Sequence, residues 1–131
     1  MNRLNKKNAL ITGGTSGIGL ETAREFLKEG ARIAITARDQ GSLEAARNEL
    51  GNDGVLLIPS DAGDAPSQKH VAERIRDEFE RLDILFVNAG IAQMAPLEEW
   101  DEAAFDRSFG INLKGPFFLI ESLIGLERRR D

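Results

Sequence analysis

Apolar and polar residues along this chain follow two alternating patterns. Short continuous apolar runs are typical of strands buried on both faces of a parallel sheet, whereas apolar residues that recur every three or four positions indicate helices with one buried face. The runs predict strands at 8–12, 31–36, 55–58 and 82–87. Helical patterns separate these strands and follow the last of them, so strand and helix alternate along the chain.

Capping and stop residues define the predicted helices. The first covers 17–29 and is followed by Gly30, in the position that glycine favours beyond a helix. Ser42 is predicted to cap the second, which Gly51 ends. Pro66 starts the third, where its missing N–H costs nothing. The apolar faces of the four helices consist of Leu20, Ala23 and Leu27, then Leu43, Ala46 and Leu50, then Val71, Ile75 and Phe79, and finally Phe105, Phe109, Leu113 and Phe117.

The order of these elements predicts the fold. A loop over 90–100, containing Pro96, leads from the fourth strand to the last helix, which Asp101 caps. Strands that alternate with helices imply βαβ units, and right-handed crossovers then give a parallel sheet with helices on both faces. If the glycine-rich turn after the first strand lies where the strand order reverses, that order is 3-2-1-4. We therefore predict one α/β domain over 1–131 with a Rossmann-like, doubly wound parallel sheet.

Composition and charge reduce the classes of partner that we expect for this chain. A net charge of −5 disfavours nucleic acid and anionic membranes. The chain has no cysteine, and its one histidine, His70, lacks a second ligand nearby, so no metal site is expected and His70 is interpreted as a surface residue. No apolar run approaches transmembrane length, and no signal-type region follows residues 1–7, so a cytoplasmic protein is expected.

The glycine-rich turn after the first strand has the features of a phosphate-binding loop. It reads Thr12-Gly13-Gly14-Thr15-Ser16-Gly17-Ile18-Gly19. Glycine leaves room for backbone N–H groups and a helix N-terminus to close on a phosphate. The spacing G-x-x-x-G-x-G differs from the general dinucleotide fingerprint and resembles the cofactor loop of the short-chain dehydrogenases/reductases. Asn88-Ala89-Gly90, after the fourth strand, is similar to the second signature of that family.

The resemblance implies a set of cofactor-binding residues. From the two signatures these are Gly13, Thr15, Ser16, Gly17, Ile18 and Gly19, with Asn88, Ala89 and Gly90. Asp61 and Ala62 resemble the adenine contact of the family, although an aspartate there is also an ordinary turn residue. Position 37, which carries a carboxylate in NAD-selecting members, is alanine, and Arg38 stands where NADP-preferring members have a basic residue.

Arg38 therefore favours NADP(H) over NAD(H), because a guanidinium pairs well with a phosphate. The alternative for Arg38 is a solvated loop charge. Asp39 follows it and could either pair with Arg38 or cap the next helix. Asn112 resembles the asparagine that, in the family, lies at a helix kink and holds a water of the proton relay. Pro116 supports a kink, and a purely structural role is the alternative for Asn112.

The reaction of the family also requires a serine, a tyrosine and a lysine, and the tyrosine delivers a proton to the substrate carbonyl oxygen. This chain contains no tyrosine, and the resemblance covers only the cofactor half of the family's domain, to about residue 123. Three interpretations follow: an NAD(P)-dependent carbonyl or alcohol oxidoreductase represented by that half and inactive alone, a non-catalytic dinucleotide-binding module, or a truncated structural fragment with an unused cofactor loop.

Self-association is the remaining expectation. The fourth strand has no later strand to pair with its outer edge, and the last helix carries Phe105, Phe109 and Phe117 without a predicted partner. A homo-oligomer, most simply a symmetric dimer, is therefore predicted. Trp100 is interpreted as a packing residue, and the arginines at 128–130 as a solvated terminus.

Overall fold

The computed structural model describes residues 2–92 and 94–127. Its elements, in chain order, are β1 (Asn8–Thr12), α1 (Gly17–Lys28), β2 (Arg32–Ala37), α2 (Gln40–Leu50), β3 (Leu56–Pro59), α3 (Ala65–Glu78), β4 (Ile84–Phe86), a 3₁₀ turn (Leu97–Glu99), α4 (Glu102–Phe109), a π-helical segment (Gly110–Lys114) and α5 (Gly115–Glu127). The four predicted strands are present with slightly shifted ends, and the fourth is shorter than predicted. The arginines at 128–130 lie outside the described residues.

The four strands form one parallel sheet in the order β3-β2-β1-β4. Successive side chains of a strand point to opposite faces, so each central strand supplies both layers of the core. Ile11 and Ile35 pack with α1 and α2 on one face, whereas Leu10 and Ile58 pack with α3 and α5 on the other. The predicted class, order and doubly wound arrangement are confirmed.

Three helices begin at an aspartate that caps them. The carboxylates of Asp39, Asp64 and Asp101 accept backbone N–H groups at the starts of α2, α3 and α4. The prediction that Ser42 caps the second helix was wrong, because that helix begins at Gln40 and Ser42 lies inside its first turn. Both the amide and the hydroxyl of Ser42 donate to Asp39, at 2.9 Å. The capping alternative for Asp39 is therefore the one the structure shows.

The last predicted helix is interrupted. A π-helical turn at Gly110–Lys114 separates α4 from α5, so the irregularity precedes Pro116 instead of being centred on it. Gly115 follows that turn, and a Cβ at this position would overlap the carbonyl oxygen of Ala62. The start of α5 thus lies directly against the loop that follows β3. Only glycine permits this approach.

Taken together, α4, the π-helical segment and α5 form a helical stretch, Glu102–Leu126, that is long and apolar enough to cross a membrane by length and composition alone, with a mean hydropathy of 1.3 over an 18-residue window. This finding qualifies the expectation that no apolar segment reaches that length. One such helix is weak evidence, since core helices of globular proteins meet the same test. Leu119 and Leu123 of α5 are buried in the cluster that contains Val71 and Ile75 of α3. The absence of a membrane partner stays a prediction.

Candidate functional site: a cleft at the carboxyl edge of the sheet

The glycine-rich turn joins β1 to α1 in a conformation that its glycines make accessible. Gly13 and Gly17 have positive φ angles of 66° and 54°, a region that other residues rarely adopt. Gly19 is held by close packing, because a Cβ on it would overlap the carbonyl oxygen of Gly13 and lie 2.7 Å from Nδ2 of Asn88. The turn therefore has no space for larger residues where it meets the loop after β4.

The N-terminus of α1 differs from those of the next three helices. Its N-cap residue, Ser16, makes no side-chain cap hydrogen bond, whereas α2, α3 and α4 each have an aspartate cap. The first amides of a helix have no acceptor within the helix, and the helix dipole favours an anion beside them. The amides of Gly17 and Ile18 thus remain available for a phosphate at this end of α1.

An open cleft of about 290 Å³ lies at the carboxyl edge of the sheet. In a doubly wound sheet, ligands bind at this edge, where the strand order reverses. The cleft is lined by Gly13, Ser16, Thr36, Ala37, Arg38, Ser60, Ala62, Asn88, Ala89, Gly90, Ile91, Arg107 and Ile111. It brings together seven of the predicted cofactor residues, Gly13, Ser16, Arg38, Ala62, Asn88, Ala89 and Gly90.

The other predicted cofactor residues are not among the lining residues of the cleft; they are Thr15, Gly17, Ile18, Gly19 and Asp61. Gly17, Ile18 and Gly19 form the first turn of α1 beside the cleft, and the Ile18 side chain is largely exposed. Oδ1 of Asp61 accepts the Gly63 amide at 3.0 Å. That carboxylate thus shapes the turn after β3, which is the turn role that the sequence had left open.

Two threonine hydroxyls, whose role was not predicted from the sequence, hold the cleft together. Oγ1 of Thr12 accepts the amides of Asn88 and Ala89, at 2.9 and 3.0 Å, and so fixes the loop after β4 to the end of β1. Oγ1 of Thr36 accepts the Gly13 amide at 3.3 Å. Both threonines are buried at the ends of apolar strands. The signal in the sequence was a threonine at the last position of one apolar strand, β1, and at the next-to-last position of another, β2.

Arg38 and Ala37 both face the cleft at the end of β2. Within residues 2–92 and 94–127, the Arg38 side chain makes no hydrogen bond or ion pair. The neighbouring carboxylate is occupied, because Asp39 accepts the hydroxyl and the amide of Ser42, and these bonds lower the pKa of Asp39. The guanidinium of Arg38 is therefore not neutralised by the adjacent aspartate.

Asn112 lies in the π-helical segment and binds the loop after β4 at two points. Its Oδ1 accepts the Ile91 amide at 2.9 Å and its Nδ2 donates to the Ile91 carbonyl at 2.8 Å. A Cβ on Gly90 would lie 3.1 Å from the same Oδ1. These contacts give Asn112 a definite structural role, and its part in a proton relay stays a prediction.

His70 and Trp100 both lie outside the lining of the cleft. His70 is exposed on α3, and no cluster of potential metal ligands occurs in the described part of the chain. The absence of a metal nevertheless stays a prediction. The indole of Trp100 is partly buried and donates to the Ala95 carbonyl at 3.3 Å.

Known proteins share both the sequence pattern and this fold. Galactitol 2-dehydrogenase of Agrobacterium fabrum is 37% identical over 121 residues, which are 92% of this chain and 47% of that protein. The structure of L-sorbose reductase from Gluconobacter frateurii, complexed with NADPH and L-sorbose, matches with a TM-score of 0.90 at 30% identity, over 98% of this chain and 50% of that one.

RhlG of Pseudomonas aeruginosa, in a complex with NADP, matches with a TM-score of 0.87 at 31% identity, over 94% of this chain and 48% of that one. The chain thus spans about half the length of the relatives it matches. The short chain dehydrogenase family model covers residues 7–129. The chain therefore belongs to the short-chain dehydrogenase family.

Proposed function

We propose that this chain supplies the NADP(H)-binding part of an oxidoreductase that transfers hydride between the cofactor and a carbonyl or alcohol substrate. One arrangement carries the proposal: the uncapped N-terminus of α1 and the unpaired Arg38 border the same cleft, and Ala37 stands where a carboxylate would select NAD. The N-terminus of α1 favours a pyrophosphate, and Arg38 favours an additional phosphate on the adenosine ribose.

The residues present fit a dinucleotide. Because Gly13 and Gly19 have no Cβ, the turn packs directly against the loop after β4, and this packing holds the first turn of α1 beside the cleft. Ala62 and Ile111 give the adenosine side of the cleft an apolar wall. Gly90 and Ile91 line the β4 side. The bound cofactor would supply the hydride, and these residues would bind and orient it.

Relatives support the choice of cofactor. The L-sorbose reductase structure contains NADPH, and the RhlG structure contains NADP. In both proteins the matched region is about half of the chain. Neither identifies the substrate of this protein, because substrate recognition would involve parts of the family's domain that this sequence does not span.

Parallel titrations of the pure chain with NADPH and NADH, followed by cofactor fluorescence or calorimetry, test the proposal. We expect tighter binding of NADPH. Arg38→Asp should reverse the preference, because it replaces the phosphate ligand with a carboxylate that accepts ribose hydroxyls. Arg38→Lys retains the charge and should preserve part of the preference. Equal affinities of the unaltered chain for the two dinucleotides would contradict the assignment.

This polypeptide alone should reduce no carbonyl compound with NADPH. It contains no tyrosine to donate the proton, and loss of a general acid costs roughly 10² to 10⁴-fold in rate. Binding without turnover supports a cofactor-binding module, whereas absence of binding supports a structural fragment whose cofactor loop is unused. Turnover by a sample whose mass has been verified would contradict the expected inactivity.

We also propose a homo-oligomer in the cytoplasm. The helical face that we call the α4–α5 apolar face consists of exposed residues spaced three or four apart, namely Phe105, Phe109, Leu113, Phe117, Ile120 and Ile124. The rings of Phe105 and Phe109 stack at 4.4 Å between centroids. A continuous exposed apolar surface of this kind favours association. A second copy of the chain would cover it most simply as a symmetric dimer.

A further inference from the structure

We propose that Arg107 on α4 is a second cationic specificity residue of the cleft, and that it acts with Arg38 to favour the dinucleotide with the additional phosphate. This inference rests on the proposed function and extends it to a residue outside both sequence signatures. Arg107 lines the same cleft as Arg38 but comes from a different element, the helix α4.

Backbone packing fixes where Arg107 lies. One helical turn further on, Ile111 is 7% exposed and also lines the cleft. The chain at Gly110 and Ile111 lies directly against Gly63, because a Cβ on Gly63 would be 3.0 Å from Cγ1 of Ile111 and a Cβ on Gly110 would be 3.2 Å from the Gly63 carbonyl oxygen. The helical turn that directly follows α4 is therefore packed against the loop that follows β3.

This packing places Arg107 at the adenosine side of the cleft. In a doubly wound sheet the residue at the end of β2 binds the adenosine ribose, and here that residue is in the segment with Arg38. β3 is the next strand outward from β2. Asn112, by contrast, binds Ile91 after β4, on the other side of β1. Arg38 and Arg107 thus border the part of the cleft in which the adenosine ribose would lie.

No partner neutralises Arg107 in the described chain. The neighbours three and four positions away on a helix are those that pair with a charged side chain, and for Arg107 these are Ala103, Ala104, Gly110 and Ile111. The Arg107 side chain makes no hydrogen bond or ion pair within residues 2–92 and 94–127. Its guanidinium is therefore available to a ligand.

The balance of charge in the cleft favours an anion. Its lining includes two arginines and no aspartate or glutamate. The carboxylate of Asp61, which precedes Ala62 of the lining, is bonded to the Gly63 amide. Two guanidiniums in a cleft whose lining has no carboxylate attract the more highly charged dinucleotide and can bind phosphate through several donors.

The test compares Arg107→Ala with the unaltered chain in titrations with NADPH, NADH and adenosine 2′-monophosphate. We expect Arg107→Ala to weaken NADPH and adenosine 2′-monophosphate about tenfold and NADH less than about twofold, because only the first two carry the 2′-phosphate. Arg107→Lys should retain most of the preference. Lys114→Ala removes one positive charge from an exposed site in the adjoining π-helical segment, outside the cleft lining, and should change none of the three affinities.

Equal weakening of NADPH and NADH by Arg107→Ala would overturn the inference, since it would indicate a contact to the adenine or a structural effect. Unchanged affinities would overturn it as well. In either case the proposed function would stand as long as the unaltered chain binds NADPH more tightly than NADH. A chain that binds neither dinucleotide would overturn both proposals. Circular dichroism of each variant confirms that the fold is retained.

Discussion

Two parts of the sheet, the central strands β1 and β2 and the edge strand β4, differ in how completely the described residues bury them. On one side, β1 and β2 are buried almost throughout, and Leu10, Ile11 and Ile35 have no exposed surface. On the other side, β4 contributes three residues, Ile84, Leu85 and Phe86, each of them only partly buried. Within the described residues, β4 pairs with β1 along one edge and with no strand along the other.

The difference separates two kinds of function. The β1–β2 side contains the glycine-rich turn, Arg38 and the threonine hydroxyls that hold the cleft, all supplied by residues of this chain. The β4 side and the α4–α5 apolar face present surface for further contacts, with Phe117 62% exposed. We therefore expect cofactor recognition to depend on residues of this chain, and the exposed β4 side to serve contacts with another protein surface.

Matched leucine truncations across the sheet should show the largest contrast. Leu10 of β1 and Leu85 of β4 are paired in register, and only Leu10 is completely buried. Leu10→Ala should lower the free energy of unfolding by about 2–5 kcal/mol, because it leaves a cavity in the core. Leu85→Ala should lower it by about 1–2 kcal/mol, since less surface is buried there. Urea unfolding measures both values, and equal losses would contradict the contrast.

Glycine substitutions test whether the close packing of the glycine-rich turn is needed for cofactor binding. Gly19→Ala should weaken NADPH binding by more than about tenfold and lower stability by about 1–3 kcal/mol, because the added methyl group would overlap the Gly13 carbonyl oxygen. Gly125→Ala is the control. A Cβ on Gly125 meets no atom within 4 Å, and alanine raises helix propensity by up to about 1 kcal/mol. Unchanged NADPH affinity in Gly19→Ala would contradict the proposed role of the turn.

The sequence predicted the sheet because its signals were local. Apolar runs set the four strands, and the glycine-rich turn marked the point where the strand order reverses. The apolar runs reflect burial, and the glycine-rich turn reflects backbone conformation. Together they predicted the strand order β3-β2-β1-β4. The start of α2 was misplaced because Ser42 and Asp39 both cap helices well, and only the fold shows that the helix begins three residues after Ala37.

The site was predictable only in part. The signatures around Gly13 and Asn88 are contiguous in sequence, and seven predicted residues do meet at the cleft. Arg107 was missed because nothing near it in sequence distinguishes it from a solvated helix charge. Its position depends on the contact of Gly110 with Gly63, which are far apart in the chain. Pro116 and the resemblance at Asn112 predicted an irregular helix here, but the hydrogen bonds of Asn112 with Ile91, a residue far from it in the chain, were not predicted.

A charge on the α4–α5 apolar face should prevent self-association. Phe117→Glu would place a carboxylate in an interface that is otherwise apolar, where its desolvation is costly. Sedimentation at micromolar concentration should change from a dimer to a monomer. Leu97→Glu adds the same charge at an exposed apolar residue outside this face and should leave the dimer intact. A monomeric unaltered chain, or a dimer that persists in Phe117→Glu, would contradict the proposed interface.

The smallest expected effect is a pH dependence at the opposite end of the sheet from the cleft, where Arg3 binds Glu29 at the end of α1. Hydrogen bonds from the side chain and the amide of Arg3 lower the pKa of Glu29 to about 2 from an ordinary value of 4.5. Because the folded-state pKa is lower, the stabilisation is complete above about pH 4.5 and is lost as the pH falls through 2.

An NMR titration of Arg3→Met should show the Glu29 pKa returning towards its ordinary value, whereas Lys28→Met, which removes an exposed pair with Glu25, should not. Unfolding midpoints compared at pH 6 and pH 2.5 should fall less in Arg3→Met than in the unaltered chain, and an identical fall in both would show that this pair does not contribute to the acid sensitivity of the β1–β2 side.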